Sequence, residues 1–140
     1  MTVRAGRNVV RNLAELEDLV SSGGDVYIRY SQGYEADSGS QSTDTESGLT
    51  LPGLSVNPLS PEEWWTRPLR DWLARQICQY KHLGEKQERH AWILTGTHVG
   101  RGPDCEPLLA DVRPLGRLDA ALLEEAERVY RERFDALQGP

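Results

Sequence analysis

From Leu69 onward the chain carries Leu69, Trp72, Leu73, Ile77, Tyr80 and Leu83, with Gln76 in the same register. Intervals of three and four residues place all of them on one face of an α-helix. No other periodic signal in the sequence is as strong. A face this apolar is stable only when covered, so the helix must lie against a sheet or against other helices. Upstream, Ser60-Pro61-Glu62-Glu63 has the form of a helix start. Ser60 would be the N-cap, Pro61 the first helical residue and Glu63 the third. Pro68 then kinks that helix or restarts it, because an interior proline lacks the N–H and crowds the preceding turn.

The segment before this helix narrows the architecture further. Gln32 to Gly48 holds almost nothing apolar. It is long for a structureless connection and reads as a flexible polar loop over residues 32–48. Its acids, Glu35, Asp37, Asp44 and Glu46, fit no calcium-loop spacing and read as solvated. Leu49 to Val56 follows as a strand region interrupted by a turn or bulge at Pro52-Gly53. A polar loop that feeds a strand and then a helix is one way for a small domain to build a ligand cleft.

Asn12 and Glu15 read as a capping box for a short helix that ends at Gly23-Gly24. Val26 to Tyr30 reads as a strand with Val26, Ile28 and Tyr30 on one face and Tyr27, Arg29 and Ser31 on the other. Ala91 to Thr95 is apolar enough for a central strand. Gly96 to Asp104 reads as a loop, Pro107 to Val112 as a fourth strand, and Pro114 with Gly116 as a turn. Asp119 would cap a last helix with a stripe through Leu122, Ala126, Val129 and Phe134. The expected order is α-β-β-α-β-β-α. The fold class is therefore α+β, one small domain over residues 1–140, with a mixed or antiparallel sheet and three helices.

Charge limits the function classes. Twenty-two acidic against 16 basic residues give a net charge of −6. Nucleic-acid binding needs a basic surplus, so no nucleic-acid partner is expected. No apolar run approaches the roughly 20 residues of a membrane span, so no membrane partner is expected either. The first residues, Met1-Thr-Val-Arg-Ala-Gly-Arg, lack the apolar core of a secretion signal. Cys78 and Cys105 make no disulfide framework, which points to a reduced, cytoplasmic protein. His82, His90 and His98 fall eight apart, too far for a zinc ligand pair, so no metal is expected.

The residues that could carry chemistry lie on or beside the expected strands. Arg29, mid-strand between aromatic residues, could hold a phosphate or carboxylate through its fork, with Ser31 on the same face. It could equally lie on a wet edge face. Ser55 and Asn57 share a face opposite Leu54 and Val56 and could hydrogen-bond a ribose or an amide, or cap the following turn. Glu106, at the mouth of an apolar strand, could bind a sugar hydroxyl or stabilise a developing cation. Of the adjacent Trp64 and Trp65, one should be partly exposed, and Trp65 is the candidate cleft wall.

Arg29-Tyr-Ser, Leu51-Pro-Gly-Leu-Ser-Val-Asn, Pro61-Glu-Glu-Trp-Trp and Gly102-Pro-Asp-Cys-Glu-Pro-Leu together resemble an uncharacterised family of small actinobacterial proteins. The layout is also similar, more distantly, to small ADP-ribosyltransferases. In one branch of that superfamily a first strand carries Arg, a second carries Ser-Thr-Ser after Pro-Gly, and a late strand opens with a catalytic Glu. Val26-Tyr-Ile-Arg29, Leu51-Pro-Gly-Leu-Ser55-Val-Asn57 and Glu106-Pro-Leu-Leu would match those elements in order. The compact rifamycin-modifying transferases look similar in length and in their closing strand and helix, but their triad begins with His where this chain has Arg29. Ser-Val-Asn also replaces Ser-Thr-Ser, and Asp104 stands where the pattern often has Glu or Gln.

The resemblance implies NAD as cofactor. Arg29 would hold its pyrophosphate, Ser55 would orient the nicotinamide ribose, and Glu106 would be catalytic, stabilising an oxocarbenium-like transition state. Two readings follow. One is an NAD-dependent ADP-ribosyltransferase-like protein with Arg29, Ser55 and Glu106 around one cleft. The other is a non-catalytic module whose partner is a small molecule or a protein.

Overall fold

A long hairpin forms the spine of the molecule: strand β5, His90–Arg101, runs antiparallel to β6, Pro107–Leu118. The computed structural model describes residues 8–37, 41–80 and 89–138. In chain order the other elements are β1 (Val9–Val10), α1 (Leu13–Ser21), β2 (Tyr27–Ser31), α2 (Tyr34–Asp37), β3 (Leu54–Ser55), β4 (Asn57–Pro58), α3 (Leu69–Tyr80) and α4 (Ala120–Gln138). The fold is α+β, with four described helices where three were expected.

The sheet is mixed and strongly curled. Its order is β1-β6-β5-β2-β4, with β1 parallel to β6 and the other pairs antiparallel. β3 and β4 are separated only by Val56, yet they pair with β6 and β2, two strands that lie on either side of β5. Leu54 and Ser55 pair with Leu109 and Leu108 of β6, whereas Asn57 and Pro58 pair with Ile28 and Tyr27 of β2. One short kinked segment thus bridges the two edges. Val56 N donates to Pro107 O at 3.1 Å and Leu59 N to Val26 O at 2.8 Å, fixing both sides of the bridge.

Two apolar clusters divide along the alternation of β2, as expected from its sequence. Val26, Ile28 and Tyr30 face the helices with Leu13, Leu16, Leu73, Ile77 and Leu122. Tyr27 lies on the other face with Leu54, Val56, Trp92, Leu94 and Leu109, inside the curl. Within the predicted stripe of α3, Trp72, Leu73, Gln76 and Ile77 are buried and Leu69 partly so, and Trp72 Nε1 donates to Leu59 O at 3.0 Å. Leu83, expected at its far end, lies outside the described residues, as does most of the charged turn at 85–89.

Several local expectations gave way to tertiary partners. The helix does not start at Ser60. Ser60 Oγ accepts from Val26 N at 3.0 Å, which commits the hydroxyl to the strand rather than to a cap. Residues 61–68 form turns, and α3 starts after Pro68, whose carbonyl accepts from Asp71 N. Gly96 does not open a loop; β5 runs through it to Arg101. A Cβ there would lie 2.9 Å from Ala110 O, so the glycine serves a close strand approach. Pro114 and Gly116 likewise sit inside β6, next to a bulge between Ile93 and Leu94 that tolerates a residue with no N–H.

The Leu49–Val56 strand reduces to β3, and the segment before it is folded back on itself. Within the polar stretch, α2 occupies residues 34–37, and Thr43 bridges Thr50 as Ser42 and Leu51 approach. At α1, Asn12 Oδ1 accepts from Glu15 N at 2.9 Å, but Glu15 returns its bond to Arg11 N rather than to Asn12.

Candidate functional site

Arg29 comes from β2, Ser55 from β3 and Asn57 from β4, and Glu106 is the residue just before β6. All four line one open cleft of about 570 Å³. The curl of the sheet is responsible: because residues 54–58 bridge its edges, the face bearing Arg29 and the mouth of the β5–β6 hairpin are brought together.

Glu106 is held by both oxygens. Ser55 Oγ donates to Oε2 at 2.8 Å and Asp104 N donates to Oε1 at 3.0 Å. The hairpin tip sets this geometry. Gly102 N donates to Glu106 O at 2.8 Å, Cys105 N donates to Gly102 O at 3.0 Å, and Cys105 takes the left-handed conformation with φ 64°. A tight turn followed by a left-handed residue is a common way to close a hairpin, with glycine the usual occupant of that last position. Across the cleft, Ser55 N donates to Ser42 Oγ at 2.9 Å, which ties β3 to the polar segment.

Arg29 is half-buried and its fork is largely committed. Nη1 donates to Ser55 O at 2.7 Å, and Nε donates to Asp37 Oδ2 at 2.7 Å. The same Asp37 oxygen accepts from Ser31 Oγ at 2.5 Å, and Ser31 Oγ accepts from Trp92 Nε1 at 2.8 Å and Gly33 N at 3.1 Å. Ser31 is therefore buried beneath the cleft and is not among the residues that line it. Trp65 is also elsewhere. It packs edge-on against Trp64 and Trp72 with its Nε1 donating to Pro68 O at 3.2 Å, away from the cleft.

Two contributors were not singled out as site residues. Asp37 sits in the polar stretch as one of several acids, and no sequence signal ties it to Arg29 across eight positions. Asp104 contributes a backbone N–H, which side-chain patterns do not report. Five carboxylates, those of Asp37, Asp44, Glu46, Asp104 and Glu106, line the cleft against the guanidinium groups of Arg29 and Arg89. Asp44 is held below its ordinary carboxyl range, first by the Ser47 hydroxyl and then by Glu46 N–H.

A second open cavity of about 620 Å³ adjoins the first and shares Ser55, Asn57, Asp104 and Glu106 with it. His98 and Cys105 line that side. Tyr27, also on its wall, has its phenol pushed up, mainly by burial and then by Asp25, with Arg101 opposing. Among the described residues no cluster of three or more His, Cys, Asp or Glu is arranged to hold a metal ion. No described helix is long and apolar enough to cross a membrane.

A model for a family of unknown function, DUF6098, matches residues 4–139. The chain belongs to this family. No curated protein and no solved structure matches it.

The arrangement can grip hydroxyl groups. Glu106 keeps lone pairs beyond its two internal bonds, and Asn57 offers both donors and an acceptor. For NAD, the cofactor implied by resemblance, the two ends of the cleft differ in fit. Ser55, Asn57 and Glu106 suit a ribose. The pyrophosphate end does not fit, because Arg29 is already paired with Asp37 and carboxylates outnumber guanidinium groups along the wall.

Proposed function

We propose that this DUF6098 protein binds a small hydroxyl-rich ligand in the cleft between β2, β3 and the β5–β6 tip, with Ser55 and Glu106 engaging it. One observation carries the reading. Residues 29, 55 and 106 come from three separated segments and line one cleft, with Ser55 Oγ on Glu106 at 2.8 Å. The activity that the resemblance implies for such a set is ADP-ribosyl transfer or NAD hydrolysis, in which Glu106 would stabilise positive charge developing on a ribose.

A non-catalytic binding module is the second reading, and the commitment of the Arg29 fork to Asp37 and Ser55 O favours it. Titration calorimetry with NAD and with adenosine, together with a nicotinamide-release assay, separates the two. The transferase reading expects NAD binding and nicotinamide release that Glu106→Gln abolishes. Adenosine binding without NAD turnover leaves the binding module. Absence of binding by either compound at millimolar concentration sinks the ribose-bearing ligand and with it the transferase reading, and leaves the binding module only with a partner of another kind.

A further inference from the structure

Arg29 has the placement of an anion-binding residue but not its free charge. Its Nε is 2.7 Å from Asp37 Oδ2, and the pair is largely shielded, with side-chain exposures of 23% and 13%. Asp37 is itself fixed. Its oxygen also accepts from Ser31 Oγ at 2.5 Å, and Ser31 is anchored by the buried Trp92 indole at 2.8 Å. The short helix α2 ends on Asp37, and Tyr34 on the same helix packs edge-on against Trp92 with ring centroids 6.1 Å apart. Two separate contacts to one core tryptophan thus hold the carboxylate on the guanidinium.

A phosphate entering here would have to displace a fixed, short, charge-assisted bond, and would then face Asp44, Glu46, Asp104 and Glu106 on the same wall. A hydroxyl or carbonyl oxygen would meet no such opposition. It needs only donors that Arg29 does not commit to described residues, such as Nη2.

We infer that Asp37 is the specificity-determining residue of the cleft, selecting non-phosphorylated, hydroxyl-rich ligands (a sugar or a nucleoside) over their phosphorylated counterparts by occupying Arg29. This rests on the reading of the cleft as the ligand site, and it identifies the feature that disagrees with NAD. Asp37 acts through Arg29, so it is a positioning residue rather than a catalytic one.

The test uses matched probes that differ by phosphate, adenosine against AMP, together with inorganic pyrophosphate, each titrated calorimetrically into the full chain. Wild type should bind AMP at least tenfold more weakly than adenosine and give no heat with pyrophosphate. Asp37→Asn keeps an acceptor for Ser31 and Arg29 but removes the charge; it should narrow the adenosine-to-AMP ratio at least fivefold and bring in pyrophosphate binding. Adding Arg29→Gln to Asp37→Asn should erase that gain. Ser31→Ala loosens the anchor without changing charge, so a purely structural role would make it mimic Asp37→Asn, and selectivity set by charge would not.

AMP binding as tight as adenosine in wild type, or an Asp37→Asn variant that is folded by circular dichroism and gains no pyrophosphate affinity, overturns the inference. A pyrophosphate gain in Asp37→Asn without adenosine binding in either protein shows that Asp37 blocks anions at Arg29, but it refutes the hydroxyl-ligand reading, and the selectivity inferred from that reading falls with it.

Discussion

Gly102→Ala is the most direct probe of the Ser55–Glu106 pair, because it reaches the pair without touching either residue. A Cβ on Gly102 would lie 2.4 Å from Glu106 Cδ and Oε1 and 2.6 Å from Oε2. Ordinary carbon contacts are about 3.5–4.0 Å, so the carboxylate must move by roughly 1 Å. Gly102 is not among the residues with positive φ, so alanine fits its backbone, and the turn bonds donated by Cys105 N and by Gly102 N can persist. What must break are the bonds from Ser55 Oγ and Asp104 N. Hydrogen bonds to a charged group are worth about 1.5–3 kcal/mol each when buried, and less at this half-exposed site, where water replaces them. Reduced unfolded-state entropy returns about 0.4–1 kcal/mol.

The net loss of stability should therefore be about 1–2 kcal/mol, while ligand affinity falls at least tenfold. Urea denaturation of wild type, Gly102→Ala, Ser55→Ala and the double variant forms a cycle. Both single changes sever the same bond, so the cycle should show about 1 kcal/mol of coupling. Additive effects, or a loss above about 3 kcal/mol that would signal backbone strain, would refute the geometry argued for the hairpin tip.

Cys105→Gly should raise stability by about 1 kcal/mol, because φ 64° suits glycine and strains a side chain; a lower denaturation midpoint would contradict this. The His90 imidazole is pushed below its ordinary value of 6.5, first by burial and then by Arg117, with Asp37 opposing. The folded state then resists a proton that the unfolded state takes up, so stability is present above pH 6.5 and is lost as pH falls from there toward the folded value. His90→Gln should lose less stability than wild type between pH 7 and pH 5, and parallel curves would rule this out. Asp71, 3% exposed, joins Arg67 at 3.0 Å and Arg133 at 3.2 Å, linking α3 to α4. Asp71→Ala should cost about 2–3 kcal/mol in thermal or urea unfolding, and a change under 0.5 kcal/mol would mean the bridge is immaterial.

Much of the candidate site was legible as residue types but not as a set. Arg29 stood out as a charge in mid-strand between aromatic residues, and Ser55, Asn57 and Glu106 as polar groups beside apolar strand residues. Ser31 shared the face of Arg29 by alternation, yet alternation does not report depth, and the Trp92 indole covers it. Trp65 fits a cleft wall only in a helix that begins at Ser60. Once Ser60 bonds Val26 and the helix restarts after Pro68, the tryptophan lies in a turn packed on Trp72. Asp37 was one acid among several until α2 delivered it to Arg29.

By itself the sequence determined what depends on near neighbours. The face of α3 follows from a 3.6-residue period, the two faces of β2 from a period of two, and the Asn12 cap from a side chain three residues from its donor. Tertiary structure decided everything settled by competition between distant partners. Ser60 serves a strand 34 positions away, Leu13 N finds the Glu125 carboxylate 112 positions away, and a two-residue strand on each side of Val56 closes the sheet. A hydroxyl or an amide can satisfy its hydrogen bond locally or at long range. Local sequence lists the candidates, and only the packed chain selects among them, because the choice rests on which groups are buried together.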